Sequence, residues 1–170
     1  KYRNLIENIS IEQIVGHEFL VGDYLDNKLV ITCKKEVYEH RYFTSGKITT
    51  KGKFSFQYGR VDITAKLPIG QGFWPALWMM PTNSVYGGWP NSGEIDIMEY
   101  RGNRKDRIFS TVHTKNNHGS GITSGEKHFP GVEEHYTTYA LEWTEDLMAF
   151  YVNDVKIHQY QNPQIFLLPF

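Results

Sequence analysis

Several features that often identify a protein class are missing from this sequence of 170 residues. Its single cysteine, Cys33, allows neither an internal disulfide nor a Cys-x-x-Cys metal or redox motif, and is expected to be a small buried apolar residue. No apolar run approaches the roughly 20 residues of a membrane span, and no leader precedes Lys1. The net charge of -1 lacks the basic surplus that nucleic-acid binding favours. We therefore expect a soluble chain, or the mature part of a secreted one, without nucleic-acid or membrane partners.

Aromatic residues, by contrast, are abundant at 15% of the chain, and 15 Gly and 7 Pro separate short apolar stretches. This composition favours strands and turns over helices. Strand-like patterns recur at 29–33, 42–50, 54–58, 61–67, 73–80, 94–100, 108–114, 136–143, 148–153 and 155–160. The Asn153-Asp154 pair between the last two predicts a hairpin turn. With no repeat or linker, the chain is predicted to form one all-β domain over 1–170, built as a sandwich.

Three acidic residues stand close together in the segment Gly-Glu-Ile-Asp-Ile-Met-Glu-Tyr at 93–100. Because side chains alternate along a strand, Glu94 and Asp96 share one face, while the isoleucine after each points to the other. A one-residue bulge near Met98 is needed to bring Glu99 to the same face. In a helix, Glu94 and Glu99 would instead lie about 140° apart.

With the bulge, the Cα atoms of Glu94 and Glu99 are expected about 13 Å apart. Their carboxyl groups can then lean to about 5 Å from one another, the spacing of retaining glycosidases. One glutamate would act as nucleophile and the other as acid and base. Asp96 keeps negative charge close, which is predicted to favour the protonated form of one glutamate near neutral pH. It is suited to orient the nucleophile by a hydrogen bond.

Two simpler interpretations of the acidic residues stay open. They can be solvated charges on an exposed strand, although acids are disfavoured in strands and like charges side by side reduce stability. They can also bind calcium or magnesium, although nothing nearby resembles a cation-binding loop with regularly spaced acids.

Residues suited to sugar binding surround the acidic segment. Trp74, Trp78 and Trp89 offer flat faces to pyranose rings, and an indole N–H donates a hydrogen bond. Trp78 falls in an apolar strand, so a place in the core is an equal alternative. Arg60 can donate to sugar hydroxyls or pair with the acids. His113 reaches the acids only if its strand is their neighbour; otherwise it is expected to be structural.

Several blocks of sequence form a specific combination of motifs. The strongest is 93–99, and the other blocks lie at 58–60, 65–68, 72–81 and 88–90, with weaker matches at 42–46, 111–114 and 135–144. Together they resemble the family 16 glycoside hydrolases over about 29–160. The extra residue Met98 resembles the bulged signature of laminarinase-type members and not the shorter form of bacterial lichenases.

The resemblance implies a β-jelly-roll sandwich of two antiparallel sheets whose concave face is a glycan cleft. It also implies retaining hydrolysis of internal β-glycosidic bonds. By this analogy Glu94 is the nucleophile, Asp96 its assistant and Glu99 the acid and base. The residues that the analogy places along the cleft are Arg60, Trp74, Trp89 and His113.

The laminarinase-like signature points to β-1,3-glucan, or mixed β-1,3-1,4-glucan, as the substrate. One alternative is a sulfated or marine galactan such as agar or carrageenan, since Arg101, Arg104, Lys105 and Arg107 follow Glu99; a solvated loop explains them equally well. Another is a non-catalytic glucan-binding domain, but such relatives have typically lost catalytic carboxylates that this chain keeps.

The resemblance carries further expectations about the whole protein. Hydrolysis of this type needs no cofactor, while many relatives bind a structural calcium through residues near the two ends. Relatives usually continue past the position of Phe170 into a central cleft strand and a closing strand, so a sandwich lacking its C-terminal strands is one expectation. A secreted monomer that acts on extracellular polysaccharide is predicted.

Overall fold

The computed structural model describes residues 22–25, 28–119 and 124–161, the first of these ranges by its backbone alone. These ranges contain twelve β-strands and no helix, which confirms the all-β class, and no helix in them is long and apolar enough to cross a membrane. The chain divides into two compact units, one of residues 3–55 and one that contains residues 56–170. A single domain over 1–170 stays a prediction.

The first unit contains two antiparallel hairpins among its described residues. In the first, β1 (Gly22–Leu25) pairs with β2 (Lys28–Ile31), and in the second, β3 (Lys34–Tyr38) pairs with β4 (Arg41–Thr44). Cys33 is exposed, so the expectation of a buried cysteine is wrong. The residue lies in the connection between the hairpins, outside both ladders, where alternation along a strand does not turn its side chain inward.

The described residues of the second unit form eight strands. They are β5 (Gly59–Ala65), β6 (Ala76–Met79), β7 (Glu94–Tyr100), β8 (Arg107–His113), β9 (Ser124–His128), β10 (Thr137–Trp143), β11 (Leu147–Val152) and β12 (Val155–Gln161). These strands form two four-stranded antiparallel sheets, with the orders β12-β11-β10-β5 and β6-β7-β8-β9. The second sheet carries the acidic segment on one of its two central strands.

A two-residue turn joins β11 to β12, as the Asn153-Asp154 pair predicts. Both residues have positive φ angles, 46° and 61°, a conformation that Asn and Asp adopt more readily than most residues. The side-chain oxygen of Asn153 accepts a hydrogen bond from the backbone N–H of Thr138 at 3.0 Å. The turn therefore fastens the β11–β12 hairpin to the neighbouring strand β10.

The two sheets of the second unit share one apolar core. Ile95 and Ile97 of β7 point into it and are almost fully buried, as strand alternation predicts. The facing sheet contributes large side chains that include Tyr139, Trp143 and Phe150. Burial of a large apolar side chain contributes roughly 1.5–3 kcal/mol, so this core fixes which face of β7 points inward. Glu94 and Asp96 are thereby directed to the opposite face.

Candidate active site

A bulge in the middle of β7 changes its register against both neighbouring strands. Between Asp96 and Glu99, β7 advances by three residues, while β8 advances by only two, from Thr111 to Phe109. Against β6, the pairing also slips by one residue after Asp96. The structure thus contains the one-residue bulge that the sequence required.

The bulge places two successive side chains in the core and returns the next one to the outer face. Ile97 and Met98 are both almost fully buried, whereas Glu99 is partly exposed. Glu99 now shares one side of the sheet with Glu94 and Asp96. We call this side, defined by these three carboxyl groups, the acidic face.

Asp96 is the most deeply buried carboxyl group of the acidic face, with 4% of its surface exposed. Burial raises the pKa of Asp96 to about 8, and the neighbouring charges of Glu94 and Glu99 and a hydrogen bond to Glu94 act in the same direction. Asp96 therefore holds a proton at neutral pH and donates it in a hydrogen bond to the Glu94 carboxylate. The prediction that one glutamate is protonated near neutral pH stays a prediction; the raised pKa is that of Asp96.

His113 lies beside the acidic face, as expected for a neighbouring strand. It pairs directly with Glu94 across the β7–β8 ladder, and its Nε2 lies 3.1 Å from Oδ2 of Asp96. Its Nδ1 is buried without a hydrogen-bond partner among the described residues. The histidine thus contacts Asp96 through one ring nitrogen, which helps to fix the orientation of that carboxyl group.

Each of the two glutamates accepts a hydrogen bond from an indole. Trp74, which precedes β6, donates from Nε1 to Oε1 of Glu99 at 2.9 Å. Trp89, in the loop between β6 and β7, donates from Nε1 to Oε2 of Glu94 at 2.5 Å. Both tryptophans remain more than half exposed, at 62% and 52%. They orient the carboxylates and still present ring surface to solvent.

Trp78 belongs to the acidic face and not to the core. It stands directly opposite Asp96 in the β6–β7 ladder, and paired residues of an antiparallel ladder point to the same side. Its side chain is 40% exposed. The alternative of a core position is therefore excluded, and Trp78 can offer its ring to a ligand on this face.

Arg60 is not brought to the acidic face. It lies on β5, in the other sheet, and its side chain points outward because the neighbouring Val61 packs on the core. Its guanidinium forms ion pairs with Asp62 at 2.8 Å and Asp154 at 2.6 Å, and stacks on Tyr151. The prediction that Arg60 lines the cleft with the acids is therefore wrong, because the sandwich core separates it from them.

Two residues near the glutamates were not predicted as part of the site. Thr111 donates its hydroxyl to Oε2 of Glu99 at 3.3 Å, and its alternation with His113 along β8 is a signal that could have found it. The guanidinium of Arg101 lies over the ring of Trp74, 4.9 Å from its centroid. Arg101 follows Glu99 by two residues, so strand alternation places it on the same side.

A metal centre finds no support among the residues described here. Within 22–25, 28–119 and 124–161, no group of three or more His, Cys, Asp or Glu side chains is arranged to hold a metal ion. The calcium that the resemblance implies would be bound near the two chain ends, and residues 1–21 and 162–170 lie outside the described residues.

Comparison with known proteins decides the family. A model of the family "Glycosyl hydrolases family 16" matches residues 14–168. The chain belongs to this family. A β-glucanase of Rhodothermus marinus is 41% identical to it over 141 residues, which are 81% of this chain and 49% of the relative. A glucan endo-1,3-β-glucosidase of Cryptopygus antarcticus is 42% identical over 142 residues, 78% of this chain and 52% of the relative.

A solved structure shows the same architecture. The laminarinase from Flavobacterium sp. UMI-01 matches with a TM-score of 0.80 and 38% sequence identity, over 87% of this chain and 66% of that one. The predicted β-jelly-roll sandwich of antiparallel sheets is thereby confirmed. The chain spans about half the length of the curated relatives named above.

Proposed function

We propose that this family 16 protein hydrolyses internal β-1,3 bonds of a glucan and retains the anomeric configuration. The observation that supports the proposal most directly is the pairing of two glutamates with separate indole donors on one sheet face, with a protonated Asp96 between them. Solvated surface charges would not require such fixed partners. The family resemblance supplies the roles, with Glu94 as the nucleophile and Glu99 as the acid and base, and the hydrogen bond between Asp96 and Glu94 agrees with Asp96 as the assistant of the nucleophile.

The first half of the reaction forms a covalent intermediate. Glu99 gives its proton to the glycosidic oxygen as the bond from that oxygen to the anomeric carbon breaks, and the leaving sugar departs as an alcohol. Glu94 attacks the anomeric carbon from the opposite side and forms an ester. The Asp96 hydroxyl, which donates to Glu94, keeps the attacking carboxylate in one orientation. The expected separation of about 5 Å between the two glutamate carboxyl groups stays a prediction.

The second half of the reaction releases the sugar. Glu99, now a carboxylate, removes a proton from a water molecule as the water oxygen attacks the anomeric carbon. The ester bond to Glu94 breaks, so Glu94 leaves as a carboxylate and Glu99 is protonated again. Two inversions restore the β configuration. Every proton is carried by the chain's own side chains, and we propose that the chemistry needs no cofactor.

The substrate proposal rests on the relatives and on the aromatic residues of the acidic face. The relatives are named as a β-glucanase, a glucan endo-1,3-β-glucosidase and a laminarinase. The exposed rings of Trp78 and Trp89 supply flat apolar surface for uncharged pyranose rings. We therefore propose laminarin-type β-1,3-glucan as the substrate, with mixed-linkage glucan as the second candidate.

The basic loop gives little support to a sulfated galactan as substrate. Arg104 and Arg107 both pair with Glu126 at 3.1 Å, and Lys105 lies 3.9 Å from Glu134. Three of the four basic side chains thus already face acids of the same chain. An uncharged glucan fits this distribution of charge better than a polyanion.

Action on a polysaccharide also bears on where the protein works. Because such polymers lie outside the cell, we propose secretion. From the net charge of -1 and the short apolar runs of the sequence we propose that nucleic acid and membranes are not partners. The family resemblance is the basis for proposing a monomer and a structural calcium near the ends of the chain.

The experiment that tests the function is release of reducing ends from laminarin, lichenan, agarose and κ-carrageenan, with Glu94→Gln as the matched control. We expect cleavage of laminarin that the substitution abolishes, and a β-configured product seen by proton NMR immediately after cleavage. A folded wild-type protein that binds laminarin without cleaving it would instead support the glucan-binding alternative. Preferential cleavage of agarose or κ-carrageenan would overturn the glucan substrate.

A further inference from the structure

Arg101 occupies a specific place between two aromatic rings beside the acidic face. Its guanidinium carbon lies 4.9 Å from the ring centroid of Trp74 and 5.1 Å from that of Phe109. Among the described residues, no carboxylate forms an ion pair with Arg101, unlike Arg104, which pairs with Glu126. The contacts that hold Arg101 are therefore contacts with aromatic rings.

Trp74 connects Arg101 to the acid and base of the proposed reaction. Its indole N–H donates to Oε1 of Glu99 at 2.9 Å, although most of the Trp74 side chain is exposed. A side chain with so much solvent contact has freedom to rotate away from its acceptor. The cation above its ring restricts that rotation, because leaving the stacked position costs the cation–π contact.

We propose that Arg101 is a positioning residue that holds the Trp74 indole against Glu99. The inference rests on the proposed function for the role of Glu99. Glu99 then has both oxygens occupied, Oε1 by Trp74 and Oε2 by the Thr111 hydroxyl at 3.3 Å. The plane of the carboxyl group is fixed, and its proton is aimed at one point above the sheet. Without Arg101 the shorter of these two bonds loosens and the carboxyl group rotates.

Loosening of the Trp74–Glu99 hydrogen bond should affect proton transfer from Glu99 more than binding of the substrate. Misplacement of a catalytic group by about 1 Å can cost about a hundredfold in rate, and a partial loosening costs less. The defect should be greatest where the leaving group needs a proton. It should be small where the leaving group departs as a stable anion, such as dinitrophenolate.

The kinetic test compares Arg101→Ala, Arg101→Lys and the control Arg104→Ala on two substrates. One is a β-1,3-gluco-oligosaccharide, and the other is its dinitrophenyl glycoside. Arg104 stacks on Phe109 at 5.7 Å, as Arg101 does, but no contact with Trp74 is found for it. The control therefore removes a neighbouring arginine without the connection to Glu99.

We expect Arg101→Ala to lower kcat/KM about tenfold on the oligosaccharide and less than twofold on the dinitrophenyl glycoside. Arg101→Lys, which keeps a cation, should recover most of the loss, and Arg104→Ala should resemble the wild type on both substrates. An equal loss on both substrates would show that Arg101 acts through binding or folding. Wild-type kinetics in Arg101→Ala would also overturn the proposal.

A second measurement decides the inference independently of activity. The four tryptophans give four indole N–H signals in a nitrogen-15 NMR spectrum, and the signal that Trp74→Phe removes belongs to Trp74. Its hydrogen-exchange rate should rise in Arg101→Ala toward the rate in Glu99→Ala, and stay unchanged in Arg104→Ala. An unchanged rate in Arg101→Ala would contradict the proposal. If the wild type cleaves no glucan, the proposed function fails, and this exchange rate still decides whether Arg101 holds Trp74.

Discussion

The indole of Trp89 and the carboxylate of Glu94 are joined by a hydrogen bond of 2.5 Å, from Nε1 to Oε2. Trp89 itself contacts two histidine rings, with centroid distances of 5.8 Å to His113 and 5.6 Å to His118. These contacts help to hold Trp89, a loop residue, beside Glu94 on strand β7. The Trp89 side chain therefore has two parts that can be tested apart: an N–H that donates to Glu94, and an exposed ring surface.

Trp89→Phe should remove the donor and keep much of the ring. We expect kcat on laminarin to fall about tenfold with KM changed less than about threefold, because the orientation of Glu94, the proposed nucleophile, is lost while the aromatic surface remains. Trp89→Ala serves as the comparison, and its KM should also rise. Steady-state kinetics over a range of laminarin concentrations checks both variants. Equal KM values for the two variants would contradict a binding role of the ring.

Asp96→Asn should make the protein more stable in neutral and mildly alkaline solution. In the folded protein the pKa of Asp96 is raised from 3.8 to about 8, so the folded state binds more protons than the unfolded state between these values. The free energy of unfolding of the wild type therefore falls as the pH rises through this window. An amide carries no charge to bury, so the stability difference between variant and wild type should grow from pH 4 to pH 8.

Urea denaturation of both proteins at pH 4, 6 and 8 measures this difference. We expect Asp96→Asn to gain about 1 kcal/mol or more over the wild type at pH 8 relative to pH 4. Asp146→Asn, at an exposed turn position, is the control and should stay within about 0.5 kcal/mol of the wild type throughout. A difference that is constant with pH would show that Asp96 is ionised in the folded protein.

The sequence predicted the acidic face well because local alternation determines it. Ile95 and Ile97 had to enter the core, so Glu94 and Asp96 had to leave it, and Glu99 required a bulge that the structure contains. The pairing of His113 with the acidic strand was stated as a condition, and the register satisfies it. These inferences need only one strand and its immediate neighbour.

Features that depend on the pairing of strands far apart in the sequence could not be predicted from local alternation. β5 pairs with β10, and only that pairing decides that Arg60 belongs to the sheet opposite Glu94. The proton on Asp96 follows from burial that three strands create together. Arg101 was considered only as a loop charge, because its stacking on Trp74 joins segments on either side of the β6–β7 hairpin.

Arg60→Ala tests the corrected position of that residue. Its ion pairs with Asp62 and Asp154 lie on the outward face of the sheet β12-β11-β10-β5 and are largely solvated. We expect kcat and KM on laminarin within about twofold of the wild type, and a loss of stability below about 1 kcal/mol. Kinetics and thermal denaturation of the purified variant measure both quantities. A large rise in KM with an unchanged melting temperature would restore Arg60 to the binding site.

Gly102→Ala should destabilise the protein beside the glutamates. A Cβ at Gly102 would lie 1.7 Å from the carbonyl oxygen of Gly70, and the N–H of Gly102 donates to the carbonyl of Phe73 at 3.0 Å. Because backbone atoms on both sides must move, we expect a loss of about 1–3 kcal/mol. The displaced segment leads directly into Trp74, so activity on laminarin should fall as well.

Gly88→Ala is the matched control for this substitution. A Cβ at Gly88 meets no atom within 4 Å, so its melting temperature should stay close to that of the wild type. Differential scanning calorimetry of the three proteins at one pH gives the comparison. Equal melting temperatures for Gly102→Ala and Gly88→Ala would mean that residues 70–74 can move at little cost in free energy. A segment that moves so readily could not hold the Trp74 indole in a fixed position against Glu99, as the proposed proton transfer requires.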